Sequence, residues 1–175
     1  MKNLIIALLF VSFYTTITAQ TSYQLPPKDI ADLLLAKPTP SVSIDSKGEW
    51  MLLSERDPYP TVEELGQPEI RLAGLRLNPR NFSPSRQTFT NNFKLKNVKT
   101  GKEVAVTGLP QNLSATNISW NPSESKIAFL HTTPSRVDMY VIDIAAQKAR
   151  QINKQAVNNT GCISNVRSGW GINYL

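Results

Sequence analysis

Two stretches of the chain repeat one pattern. Residues 43–53 (SIDSKGEWMLL) and 119–130 (SWNPSESKIAFL) each run as a strand, a tight turn led by Asp45 or Asn121, and a more apolar strand. A second pair comes after them, because residues 93–102 (FKLKNVKTGK) and 139–148 (MYVIDIAAQK) share the order strand, Asn or Asp, apolar residue, turn, Lys. Repetition of this kind outranks any local motif as a guide to architecture, since each copy must bury its apolar face against a neighbour. The expected fold is all-β: a partial β-propeller of about two four-stranded antiparallel blades, with a short N-terminal helix and an irregular insertion.

The first residues carry Lys2, an apolar run over 4–13, and a small and polar stretch ending at Ala19 before Gln20. A charged start, a short apolar centre and an Ala-ended cleavage site make residues 1–19 a secretory signal peptide. The apolar run is too short for a bilayer span, which needs about 20 residues. The expectation is an exported protein, periplasmic or secreted, with no stable membrane anchor after cleavage. The mature chain from Gln20 onward is long enough for one domain. A single cysteine, Cys162, leaves no disulfide within the chain.

The formal net charge of +6 raises the question of nucleic acid. Its lysines and arginines are spread along the chain, and only Arg71, Arg76, Arg80 and Arg86 form an enriched stretch, without interleaved aromatics. A solvated basic surface with local salt bridges is the expectation, and nucleic acid is not a predicted partner.

Along the chain, Pro27 precedes a stripe of Ile30, Ala31, Leu33, Leu34 and Leu35 that predicts a short amphipathic helix, ended by Pro38 and Pro40. The first hairpin spans 41–53 with its turn at 45–48. The periodicity then changes, and 54–89 has the character of an insertion. In it Thr61 and Glu64 fit a capping box, Gly66 and Pro68 stop the helix, and 70–77 is expected as one irregular strand with a bulge near Gly74. Over 93–106, Phe93, Leu95, Val104 and Val106 point one way and Lys94, Lys96, Lys102 and Glu103 take the other face or the turn. The next unit has expected strands at 118–120, 126–131, 139–144 and 149–152, so the incomplete propeller region covers 20–160. The tail, 161–175, holds Cys162 and three of the eight glycines and lacks a hairpin of the preceding kind. Its composition suits an irregular extension or out-of-frame coding sequence.

Catalytic signals are sparse. A serine nucleophile on a sharp strand-to-helix turn needs Gly-x-Ser-x-Gly, and no such pentapeptide occurs. The only histidine, His131, ends an expected strand with no nucleophile motif beside it. One His and one Cys do not make a zinc site, and Asp29, Asp32, Glu55, Asp57, Glu63, Glu64 and Asp143 follow no calcium-loop spacing. Glu63 and Glu64 would bind a substrate amine only if they faced a cavity, and the capping box accounts for them without that. Phosphate-cradling glycine loops are absent. Asn81, Asn112, Asn117 and Asn158 fit the glycosylation sequon. No catalytic, cofactor-binding or metal-binding residue is assigned, and no cofactor is expected.

Residues 23–30 (YQLPPKDI), Pro38-Thr39-Pro40, and above all 64–79 (ELGQPEIRLAGLRLNP) resemble the N-terminal region of exported bacterial serine peptidases of the prolyl oligopeptidase family, nearest the glutamyl endopeptidase-like branch. The resemblance runs over about 23–159, and its Arg71-Leu72-Ala73-Gly74-Leu75-Arg76 stretch is its most specific part. The resemblance implies a propeller that gates access of peptides to a Ser-Asp-His triad in a following α/β-hydrolase domain. No triad residue has a counterpart here. The reading is a non-catalytic propeller fragment of a secreted serine peptidase, truncated, with peptide or protein substrates reached only through the full-length relative. The alternative is an extracytoplasmic binding or scaffold module of the TolB type.

Overall fold

The computed structural model describes residues 25–160; the expected signal peptide, 1–19, and the tail, 161–175, lie outside the described residues. The chain divides into two compact units, Met1–Leu35 and Ala36–Leu175. In the first, the Pro27 carbonyl accepts the amides of Ile30 and Ala31 at the start of helix α1 (Lys28–Leu35). Lys28 and Asp32 pair one turn apart, and none of the helix residues is buried.

The second unit is built from antiparallel strands. In chain order they are β1 (Ser41–Ile44), β2 (Trp50–Glu55), helix α2 (Val62–Leu65), β3 (Ile70–Leu72), β4 (Leu75–Asn78), β5 (Ser83–Pro84), β6 (Asn92–Asn97), β7 (Glu103–Ala105), β8 (Ala115–Trp120), β9 (Lys126–Thr132), β10 (Val137–Asp143) and β11 (Lys148–Gln151). They form two four-stranded sheets, β1-β2-β6-β7 and β8-β9-β10-β11, and a three-stranded sheet, β3-β4-β5. The insertion therefore falls between the second and third strands of the first meander.

The repeat visible in the sequence is a repeat of hydrogen bonds. Asp45 Oδ1 accepts the amides of Glu49 and Trp50 at 2.7 and 3.2 Å, and Asn121 Oδ1 accepts the amide of Lys126 at 2.9 Å. In both turns the same residue donates its own amide across the hairpin, Asp45 to Trp50 and Asn121 to Lys126. Gly48 (φ 66°) and Glu124 (φ 54°) hold the same left-handed position. The later hairpins match as well: Asn97 Oδ1 takes the Thr100 amide and Asp143 Oδ1 the Ala146 amide, each at 3.0 Å. An Asp or Asn at these points thus supplies the turn from its side chain.

Equating Asp45 with Asn121, and Asn97 with Asp143, makes the cross-strand partners Leu52 and Leu95 equivalent to Ala128 and Val141, which are also partners. The faces are not used alike. Leu52, Phe93 and Leu95 of the first sheet are buried against Ile127, Phe129 and Ile142 of the second, with Val106 and Leu113 of the connection between them. Phe93 and Phe129 meet across this interface with ring centres 5.0 Å apart. At its margin Trp120 Nε1 donates to Ser43 Oγ at 2.8 Å, and the Glu124 carboxylate accepts from the Ser46 amide and hydroxyl at 3.0 and 2.5 Å. The first sheet turns its Leu52/Leu95 face to the core, whereas the second turns the face opposite to its equivalent Ala128/Val141. That is how repeated layers stack head to tail. Each large side chain fully buried here contributes roughly 1.5–3 kcal/mol, so the shared core dominates the fold.

Within the insertion, helix α2 has the expected capping box, with Thr61 Oγ1 accepting the Glu64 amide at 3.2 Å and the Glu64 carboxylate accepting the Thr61 amide at 2.7 Å. The stretch after it differs from the expected bulged strand. Ala73 (φ 49°) and Gly74 (φ 86°) form a two-residue turn, and β3 and β4 fold back as a hairpin with Leu72 opposite Leu75. Consecutive positive φ values reverse the chain where a bulge would only bend it. Asn81 anchors the insertion, accepting the Ser83 amide and hydroxyl and donating from Nδ2 to the Thr133 carbonyl at 2.8 Å.

Candidate functional site

Two clusters of polar side chains stand out from the sheet framework. The first is built on the three-stranded sheet, where Arg71 and Arg76 face each other across β3 and β4. Two cations opposite one another on a ladder repel. Glu69, just before β3, relieves this: its carboxylate lies 3.3 Å from Arg71 Nε, 3.4 Å from Arg76 Nη1 and 3.2 Å from Arg86 Nε. Ser85 adds a hydroxyl hydrogen bond at 2.8 Å. The Ser85 bond first, and then the guanidinium groups, hold the Glu69 carboxyl below its ordinary range against the opposing effect of desolvation. The Glu69 side chain is 15% exposed, while those of Arg71, Arg76 and Arg86 are 70%, 43% and 64% exposed. Three of the four arginines singled out in the sequence thus meet at one carboxylate. The sequence signal for the hub is a Glu two residues before Arg71 at the mouth of a hairpin.

The second cluster surrounds His131, which is buried at the end of β9. Its Nδ1 accepts the Ser114 amide at 3.2 Å, and its ring meets Tyr140 edge-on at 5.9 Å. Asp138, opposite His131 on β10, takes Arg136 Nε and Nη2 at 3.0 and 2.5 Å and Asn153 Nδ2 at 3.0 Å. Burial pushes the His131 pKa down, with the Asp138 carboxylate working against it. The bond to His131 comes from a backbone amide, and Asp138 is engaged by an arginine and an amide, so this is the polar margin of the core. Among the described residues no hydroxyl or thiol is hydrogen-bonded to the His131 ring.

Burial of the ring makes stability depend on pH. Since the folded ring resists the proton that the unfolded ring accepts near pH 6.5, the stability due to the neutral ring is present above that pH and is lost as pH falls below it. Urea unfolding of the wild-type chain at pH 7.5 and pH 5.5 is expected to show lower stability at the lower pH, and His131→Gln is expected to flatten that difference. Glu55 and Glu69 do not blur the window, because both are held below the ordinary carboxylate value of 4.5 and lose their stabilisation at more acid pH.

Glu55, Glu64 and Asp143, of the carboxylates named from the sequence, have structural work. Glu55 pairs with Lys94 at 2.5 Å and accepts from Asn92 at 3.0 Å, Glu64 caps α2, and Asp143 closes a turn. Among the described residues no group of three His, Cys, Asp or Glu side chains is placed to hold a metal ion. None of the described helices is long and apolar enough to cross a membrane. Of the sequon asparagines, Asn81 is buried and hydrogen-bonded, while Asn112, Asn117 and Asn158 are exposed.

No protein-family model matches the chain. Two curated relatives do: a probable chloroplastic glutamyl endopeptidase of Oryza sativa subsp. japonica, 27% identical over 78% of this chain, and one of Arabidopsis thaliana, 26% identical over 75%. The aligned parts are 16% and 15% of those proteins, so the chain spans about a sixth of the length of the relatives it matches. The similarity is distant, covers about three quarters of the chain, and is to proteins named as peptidases.

Proposed function

We propose that the two four-stranded meanders are successive blades of a β-propeller in an exported peptidase related to the glutamyl endopeptidases, and that this part scaffolds and gates substrate entry without hydrolysing anything itself. The observation that carries it is the head-to-tail use of equivalent faces, Leu52 and Leu95 turned into the shared core while Ala128 and Val141 face away from it. A stack of that sense accepts further layers in the same rotation, as blades do. The peptidase relation rests on the two plant relatives. Neither polar cluster pairs a hydroxyl nucleophile with an imidazole, so hydrolysis belongs to residues elsewhere in such a protein.

The test is made on the 175-residue chain itself. Incubated with a fluorophosphonate probe for activated serines, and with peptides cleaved after Glu or Pro, it is expected to show neither labelling nor turnover above a buffer blank. Labelling of one serine together with reproducible turnover would overturn the proposal.

A further inference from the structure

The Arg71/Arg76 face of the three-stranded sheet carries more positive charge than its own carboxylate uses. Glu69 engages Arg71 and Arg86 through Nε and Arg76 through Nη1, which is one N–H-bearing nitrogen from each guanidinium. The other nitrogens keep their donors, in the planar fork that suits a second carboxylate. One carboxylate among three guanidiniums leaves a local excess of positive charge, on side chains that are exposed rather than packed. Among the described residues the strand that carries Arg71 is also the edge of its sheet. Ile70 and Leu72 form the hydrogen-bonded pairs with Leu77 and Leu75 that a two-residue hairpin imposes, so the Arg71 backbone N–H and C=O point to the open edge. On the opposite face Ile70, Leu72 and Leu75 are 48%, 62% and 52% exposed.

We propose that β3 is a docking edge for an extended acidic segment of a partner polypeptide, which adds as a fourth strand. Side chains of an added strand alternate between faces. A carboxylate opposite Arg71 would meet its guanidinium, with those of Arg76 and Arg86 gathered beside it at Glu69, and apolar residues at the positions on either side would cover Ile70 and Leu72. The arginine side chosen by the partner is fixed by charge complementarity, and a basic segment is rejected by the same guanidiniums. This surface is separate from the gating role proposed above and stands whether or not that role holds.

The probe is a fluorescein-labelled decapeptide of alternating Glu and Val, read by anisotropy with the 175-residue chain at low salt and at about 0.15 M salt. Binding is expected for this peptide and not for its Lys-Val counterpart. The double variant Arg71→Glu/Arg76→Glu is expected to weaken binding by about tenfold or more. Lys99→Glu/Lys102→Glu, which changes the net charge equally on exposed residues far along the chain, is expected to stay within about twofold. Equal weakening by the lysine pair would show attraction to net charge alone and overturn the proposal. Absence of binding to the wild-type chain would overturn it too. Far-ultraviolet circular dichroism of each variant confirms that it is folded, and Arg71→Gln, which removes the charge without reversing it, is expected to fall between wild type and the double variant.

Discussion

Phe129→Ala is expected to destabilise the fold by about 3–5 kcal/mol, seen as a lower urea midpoint at an unchanged slope. Phe129 is 1% exposed and lies between two aromatic neighbours, Phe93 of the first sheet at 5.0 Å and Tyr140 of its own sheet at 5.4 Å. Its removal opens a cavity at the one place where the sheets meet ring to ring, and neither backbone ladder can close over it. Phe93→Ala should cost a similar amount. The double variant should lose less than the two single losses added, by roughly 0.5–1.5 kcal/mol, the usual coupling of an aromatic pair. Additive losses would mean that the rings do not share an interface in solution.

Gly108→Ala is the second large expected effect, from a residue with no side chain at all. The connection between the meanders runs beside β11, with the Thr107 amide donating to the Gln147 carbonyl at 3.0 Å and the Ala149 amide to the Thr107 carbonyl at 2.7 Å. Those two bonds draw the next residue so close that a Cβ on Gly108 would sit 2.5 Å from the Ala149 carbonyl oxygen. The neighbour is backbone within a ladder and has no rotamer to change. Gly108 also has φ of 73°, where an L side chain is strained. Strain and overpacking together put the loss at roughly 2–5 kcal/mol. Gly101→Ala separates the two causes, because Gly101 has φ of 70° and open space around it. It is expected to lose about 1–2 kcal/mol. Equal losses at the two positions would show that the close approach to β11 is absent.

Gly108 also shows where sequence reasoning stops. Its neighbours in the chain are Thr107 and Leu109, and nothing local distinguishes it from a loop glycine; the constraint comes from Ala149, far along the chain on β11. The hairpins are legible because their information is local. An Asp or Asn at the end of one strand, with a tight turn and an apolar run after it, encodes turn and register together, so the strands of both meanders emerge close to the expected bounds, with β8 and β10 starting a few residues earlier. The hairpin at Ala73-Gly74 departs from its expected form for a related reason. Leu72 and Leu75 flank the turn with apolar residues on each side, a pattern that a bulged strand shares, and Ala73 gives no sign of its positive φ.

The site is legible only in part. Enrichment in arginine between Arg71 and Arg86 is visible in the sequence, and so is the expectation that local salt bridges absorb it. Which carboxylate does so is not visible, because Glu69 reaches Arg86 and Ser85 only after the chain has turned back through β4 and β5. The same holds for His131. Its strand-end position can be read from the sequence, yet the Ser114 amide and the Asp138-Arg136-Asn153 group arrive from three other segments.

The two meanders form one cooperative body through a single shared core, and native-state amide hydrogen exchange on the 175-residue chain tests this most directly. The protected amides of β2 and β6 and those of β9 and β10 are predicted to open with one common free energy, and Phe129→Ala is predicted to lower it equally in both sheets. Opening free energies that differ between the sheets, with the variant affecting only β9 and β10, would contradict it.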